Sequence, residues 1–77
     1  MGTQMSIGKV KILETKSHGR YVEQGLIIGL QQVLEIGGQA APEELKMPIQ
    51  APTSGRLSWL AKAGEIVNED GALFRID

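Results

Sequence analysis

The side chains that could take part in chemistry are few in this chain of 77 residues. His18 is the single histidine, so no two-histidine metal site can form, and its polar surroundings predict a solvated turn. A Ser-His-Asp arrangement would need His18 beside Ser54 or Ser58, in a domain with little room for a pocket. No phosphate-binding glycine pattern is present. We therefore expect a chain that is not an enzyme, and at most a carrier or accessory domain of a multi-component enzyme.

One lysine stands in a distinctive setting that could support covalent modification of its amine. Lys46 lies between Leu45 and Met47, shortly after Glu43, and the turn sequence Ala51–Gly55 follows it. Leu45 and Met47 would provide soft apolar contact surfaces for partners beside the amine. The competing interpretation is that Lys46 is an ordinary solvated lysine, one of eight basic residues.

Composition limits the class of protein to a single small domain. A chain of this length buries only about 60% of its unfolded surface, so its core is marginal. Cysteine is absent, which excludes disulfides and thiolate metal sites. The net charge is -1 with no basic block, so we expect no nucleic-acid partner. The longest apolar stretch, at 26–30, is far below the ~20 residues of a membrane span, so we expect no membrane insertion and a cytoplasmic location.

The ends and the aromatic residues give two further expectations. Residues 1–4 precede a second methionine and are interpreted as a possible expression remnant outside the fold, which leaves 5–77 as the domain. Trp59 and Phe74 are two of three aromatic residues, and both lie in predicted strands. We expect at least one of them to be substantially buried.

Short apolar runs between glycines and prolines predict a β-rich fold. The chain has ten glycines and three prolines spread along its length. Alternating polar and apolar residues predict strands at 8–13 and 56–60. Residues 72–76 are predicted to form a final strand, and residues 49–51 a further short extended piece. The polar stretch 15–19 predicts a loop.

A helical interpretation of residues 22–34 competes with this one, because apolar residues recur there near helical spacing. Gly25 and Gly29 count against it, since each costs roughly 1 kcal/mol relative to alanine inside a helix. The β-branched residues of the stretch also favour a strand.

Separately, Pro42 and the two glutamates after it predict the start of one helical turn.

Two pairs of segments predict an internal repeat. Residues 22–28 match residues 61–67, with a glycine at the same place and two β-branched residues in register. After one gap, residues 33–36 match residues 73–76. One such unit cannot cover its own apolar face, whereas two units packed face to face can. The sequence therefore predicts an all-β fold, a small flattened β-sandwich or barrel-sandwich hybrid with two quasi-symmetric halves.

From about residue 19 to residue 77, the chain resembles the biotinyl and lipoyl carrier family. In that family two quasi-equivalent halves form the sandwich, and the modified lysine lies on the hairpin that links them. Ala51–Gly55 matches the element that opens the second half, and the glycine turn at 64–67 leads into a matching final strand. Lys46 lies between the two repeat copies, where the resemblance would put the acceptor.

The attachment consensus of biotin carriers is Glu-Ala-Met-Lys-Met. Glu43, Lys46 and Met47 match this consensus, Leu45 replaces a methionine, and Glu44 replaces the alanine. Lipoyl carriers instead have Asp-Lys-Ala around the lysine, and this chain has neither neighbour, so the resemblance favours biotin over lipoate.

The resemblance implies a biotin carrier domain with covalent biotin on Lys46 and with Glu43, Leu45 and Met47 as neighbouring contact residues. A biotin protein ligase would activate biotin as an acyl-adenylate, and the lysine would attack it to form an amide. The resulting swinging arm would transfer a carboxyl group between a biotin carboxylase and a carboxyltransferase within a biotin-dependent carboxylase.

The hairpin departs in length from the family pattern, which leaves an alternative open. About two residues fewer than usual separate Lys46 from Ala51, and residues 37–42 are additional. Centring the hairpin between Ile36 and Ala51 predicts that Glu43 and Glu44 form its apex. The alternative function is an unmodified lipoyl-like β-sandwich that acts as an interaction or assembly module.

Overall fold

The computed structural model describes residues 2–77, which form nine β-strands and no helix. Within this range no helix is long and apolar enough to cross a membrane. The all-β prediction is confirmed, and the helical interpretation of residues 22–34 is wrong. The strands are β1 (Gly2–Met5), β2 (Gly8–Thr15), β3 (Tyr21–Val22), β4 (Ile27–Ile36), β5 (Gln39–Ala40), β6 (Lys46–Gln50), β7 (Gly55–Trp59), β8 (Ile66–Val67) and β9 (Ala72–Ile76).

The strands form two antiparallel sheets, one of them curled into a half-barrel, that pack as a small β-sandwich. The order of the first sheet is β1-β9-β7-β3. In the second sheet β4 pairs with β2 on one edge and with β6 and β5 on the other, and β8 pairs with β2. The pairing of β6 with β4 and that of β2 with β8 are counterparts of each other, because Gln50 lies opposite Ile27 and Lys11 lies opposite Ile66, as expected of two quasi-symmetric halves.

Two glycine turns confirm the predicted repeat in atomic detail. Gly25 and Gly64 both have φ of 91°, a conformation that L side chains rarely adopt. The N–H of Gly25 donates to the carbonyl oxygen of Ala51 at 2.8 Å, and the N–H of Gly64 donates to that of Ile12 at 2.6 Å. Each half thus binds the other half through an equivalent hydrogen bond.

The core lies between the sheets and is centred on one aromatic pair. Phe74 is 1% exposed and Trp59 is 9% exposed, which confirms the predicted burial. Their ring centroids lie 5.1 Å apart at an interplanar angle of 64°, a favourable edge-to-face arrangement. The other largest fully buried side chains come from both sheets: Ile12, Val22, Ile28, Leu57 and Ile76.

The amino terminus belongs to the fold, so its exclusion from the predicted domain needs correction. Met1 lies outside the described residues, but Gly2–Met5 is strand β1. β1 pairs antiparallel with β9, with Gly2 opposite Ile76. The sequence does not mark this strand because its four residues are all exposed and show no alternation.

Candidate functional site

The hairpin that links the two halves has its apex at a glycine pair. Gly37 and Gly38 have φ of 59° and 80°, and β5 pairs back onto β4 directly after them. Two successive positive φ values define the hairpin turn whose twist matches that of the flanking strands. The prediction that Glu43 and Glu44 form the apex is therefore wrong, because the glycine pair closes the hairpin earlier.

A second turn protrudes from the side of this hairpin, at Pro42–Leu45. The N–H of Leu45 donates to the carbonyl oxygen of Pro42 at 3.3 Å, and Glu44 has φ of 63°. A positive φ at the third position is typical of a type II turn, so the predicted helical turn is wrong. Hydrogen bonds to β4 involve Ala41 before the turn and Leu45 after it. The residues between them form a lateral turn beside the hairpin.

Lys46 is the first residue of β6 and lies on a strand instead of a turn. It is opposite Gln32 of β4, which in turn is opposite Lys11 of β2, so these three side chains share one face. Gln32 lies five positions before the apex at Gly37, which corresponds to roughly 17 Å along the strand. Lys46 is exposed.

Ion pairs among residues 2–77 do not involve Lys46. They join Lys9 to Glu35, Lys16 to Glu14, and Arg75 to Asp77. Its amine is therefore free of a carboxylate partner within the described part of the chain and remains accessible to solvent.

The other predicted site residues do not form one surface with Lys46. Leu45 is partly buried against the core, and Met47 is 45% exposed beside buried Ile49. Because side chains alternate along a strand, Leu45 and Met47 face inward while Lys46 faces outward. Glu43 is exposed in the lateral turn. The strand geometry thus separates the lysine from the apolar neighbours that were expected to flank it.

An apolar cleft lies where Met47 points, between the edge of the first sheet at β1 and the edge of the second at β6. Its volume is about 370 Å³. Among residues 2–77, none of those that line it carries a charged side chain. Met5, Ile36 and Met47 are about half exposed at its mouth. Residues from deeper in the fold complete its apolar walls: Val10, Val33, Ile49, Leu73 and Phe74.

The polar groups of the cleft are neutral. Gln4, Gln31 and Gln50 contribute amide groups to its lining. Ser6 is 3% exposed, and its hydroxyl donates to the carbonyl oxygen of Gly8. The cleft can therefore accept an apolar group together with a few neutral hydrogen-bonding groups, but it offers no partner to an ion.

Sequence reasoning missed this cleft because its walls come from distant segments. Met5, Ile36 and Met47 belong to three different strands, and no local pattern connects them. The one local sign of the cleft was the group of apolar residues around Pro48 and Pro52. Prolines at this spacing indicate a turn more strongly than they indicate a binding surface.

The Ala51–Gly55 element has a structural role that explains its composition. The Ser54 hydroxyl accepts a hydrogen bond from the N–H of Gln24 at 2.9 Å, which holds the first glycine turn. Gly55 has φ of 153°, and a Cβ there would lie 2.6 Å from the carbonyl oxygen of Asp77. The element therefore joins the halves, and these contacts account for it without a bound group.

His18 has a packing role that the sequence did not predict. The Nδ1 atom of His18 accepts a hydrogen bond from the backbone N–H of Trp59 at 2.9 Å. The Trp59 indole donates to the carbonyl oxygen of Lys16 at 3.0 Å. His18 lies in an exposed turn, as predicted, and its hydrogen bond also helps to fasten the loop between β2 and β3 to β7.

No family model, curated protein or solved structure matches this chain.

Proposed function

We propose that this domain is a non-catalytic interaction module of the β-sandwich type, which binds an apolar group of a partner in the cleft between β1 and β6. The observation that supports this function is the exposed, uncharged cleft itself. Apolar clefts of about 300–1,000 Å³ with a few polar groups are the usual form of a binding site. The apex of the linking hairpin, Gly37-Gly38, offers no side chain for a covalent cofactor.

The apolar surface can supply only part of the affinity. Covering the exposed half of each methionine or isoleucine at the mouth would contribute on the order of 1 kcal/mol. Three such residues give about 3 kcal/mol, whereas even a millimolar Kd needs about 4 kcal/mol. A specific partner must therefore make further contacts along the two sheet edges, β1 and β6, that border the cleft and are called its lips below.

Methyl NMR can test whether the cleft binds apolar groups. The chain is labelled with ¹³C-methyl methionine and titrated with benzyl alcohol, a neutral aromatic probe. We expect saturable shifts of the Met5 and Met47 methyl signals because both side chains lie at the mouth. Benzoate, of similar shape but charged, should give little shift because the lining offers no cation.

Two matched variants locate the binding. Met47→Lys should abolish the shift at Met5, whereas Ile66→Lys should retain it, because Ile66 is equally exposed but lies on β8 outside the cleft. Non-saturating shifts that are the same in all three proteins would contradict a cleft that binds apolar groups.

A second candidate function is a biotin carrier with covalent biotin on Lys46. The observation that favours it is the exposed Lys46, which has no ion pair among residues 2–77, on the hairpin that links two quasi-symmetric halves. The amine would attack biotinyl-adenylate and form an amide with release of AMP. Its partners would be a biotin protein ligase, a biotin carboxylase and a carboxyltransferase.

Intact mass after co-expression with a biotin protein ligase and excess biotin tests this candidate. A carrier gains the mass of one biotinyl group, and Lys46→Arg does not. An unshifted mass, under conditions that fully modify a control carrier, would contradict modification by that ligase. Insertion of two residues after Met47 tests whether hairpin geometry is the obstacle, because only the lengthened chain should then be modified.

A further inference from the structure

We propose that the partner group is part of an extended, uncharged peptide segment that pairs with the free edge of β1 and inserts alternate apolar side chains into the cleft. This inference rests on the proposed interaction function of the cleft. To that function the inference adds the chemical class of the partner, an extended peptide, and the backbone hydrogen bonds that would select it.

The cleft continues as a groove along β1, which favours an extended occupant. A second depression, lined by Gly2, Thr3, Thr53 and Ile76, shares Gln4, Pro52 and Phe74 with the first. The two together follow all four residues of β1, roughly 13 Å of extended chain. A single compact group would fill only one of the two depressions.

The β1 lip can form a backbone ladder with such a segment. One edge of β1 pairs with β9, and its other edge pairs with no strand among residues 2–77. The outward N–H and C=O groups of a free edge strand are available to an added strand. A peptide alongside β1 would make these hydrogen bonds at the mouth of the cleft.

The opposite edge of the cleft, at β6, is the weaker partner for a peptide backbone. The N–H of Ala51 donates to Leu26, and the carbonyl of Leu45 accepts from Val33, so these residues of β6 and its flanks bond toward β4. The residues of β6 that alternate with these turn their backbone N–H and C=O groups away from β4. One of them is Pro48, halfway between Leu45 and Ala51, which has no N–H to donate. The β6 edge therefore lacks one donor at its centre, which favours pairing of the peptide backbone with β1.

The lining determines the chemistry of the segment. Charged residues make up 22% of the chain, yet in the part that the structure describes no charged side chain lines the cleft or the adjoining depression. A charged side chain inserted here would lose its hydration without a counter-ion. The matching partner is therefore a segment with apolar side chains on one face and neutral polar ones on the other.

The test uses an acetylated, amidated peptide of alternating threonine and valine, about six residues long, titrated into the full chain. We expect saturable shifts of the Met5 and Met47 methyl signals and slower hydrogen exchange of alternate amides in β1. The same peptide with glutamate in place of valine should bind at least about tenfold more weakly.

Backbone N-methylation separates strand pairing from simple apolar contact. An extended strand directs alternate N–H groups to opposite edges, so only one set can face β1. Methylation of that set should weaken binding about tenfold, because several hydrogen bonds are lost, while methylation of the other set should leave Kd within about twofold. Equal affinity of the two methylated peptides would overturn pairing with β1.

The remaining outcomes are also distinguishable. Binding of benzyl alcohol without any peptide binding would overturn this inference and leave the interaction function standing, whereas failure of both probes would overturn both. Concentration-dependent dimerisation that occludes β1 without peptide, measured by sedimentation, would identify a second copy as the occupant and overturn the peptide proposal.

Discussion

Gly29 shows at the scale of single residues how closely the two sheets approach. A Cβ at this position would lie 2.7 Å from the carbonyl oxygen of Glu14 and 2.9 Å from Cζ2 of Trp59. The requirement is one of space, because the φ of Gly29 is not in the left-handed region. Gly29, which counted against a helix in the sequence, is therefore needed for close packing of the sheets.

Gly29→Ala should lower the free energy of unfolding by about 1–3 kcal/mol, since neither backbone nor indole can move without disturbing the core. Urea unfolding followed by Trp59 fluorescence measures the change. Gly2→Ala is the matched control, because a Cβ there meets nothing within 4 Å. Equal stability of the two variants would show that the sheets can separate at Gly29.

Glu44→Gly should stabilise the domain by up to about 1 kcal/mol, because Glu44 has φ of 63° and glycine adopts this conformation without steric cost. Glu43→Gly, one residue earlier and without a positive φ, should be neutral or destabilising. Thermal unfolding of both variants checks the difference. A stabilisation of equal size at Glu43 would contradict the turn geometry.

At the scale of elements, β1 supplies an edge of the sandwich and a lip of the cleft. It covers one side of β9, which carries Phe74. Without β1 the β9 backbone would become a new free edge. The same short strand is therefore required for stability and for the proposed peptide binding.

Removal of residues 1–4 should lower the free energy of unfolding by about 1–3 kcal/mol, the sum of a few backbone hydrogen bonds and some exposed apolar surface. It should also abolish peptide binding. Urea unfolding and the methyl titration check the two effects. An unchanged unfolding midpoint would show that β1 does not contribute to the fold.

The sequence predicts the elements that are determined by local patterns, and it does not predict those that depend on contacts between distant segments. The alternation of β2 and the bounds of β9 were predictable because each strand carries its own pattern. The apex at Gly37-Gly38 was not predicted, because centring the hairpin between Ile36 and Ala51 takes no account of the turn preference of a glycine pair. The cleft could not be predicted, since its walls meet only in the folded chain.

At the scale of the whole molecule, the two halves exchange equivalent hydrogen bonds through Gly25 and Gly64, so neither half has a complete core alone. The pair of Trp59 and Phe74 lies in the first sheet, on β7 and β9, and packs toward the second. A small domain of this kind should unfold as one cooperative unit.

Phe74→Ala should destabilise the domain by about 3–5 kcal/mol, because Phe74 is 1% exposed and contacts Trp59. This loss is comparable to the whole stability of a small domain, so the variant should be largely unfolded. Circular dichroism measures it, and Tyr21→Ala, at a 69% exposed aromatic residue, is the control. A folded Phe74→Ala protein would contradict the assignment of the core.

The proposed interaction function depends on the cleft between β1 and β6, and the methionine methyl titration with benzyl alcohol tests it most directly. The prediction is saturable shifts at Met5 and Met47 that Met47→Lys removes and Ile66→Lys retains. The contradictory result is the absence of saturable shifts at both methionines while the protein remains folded.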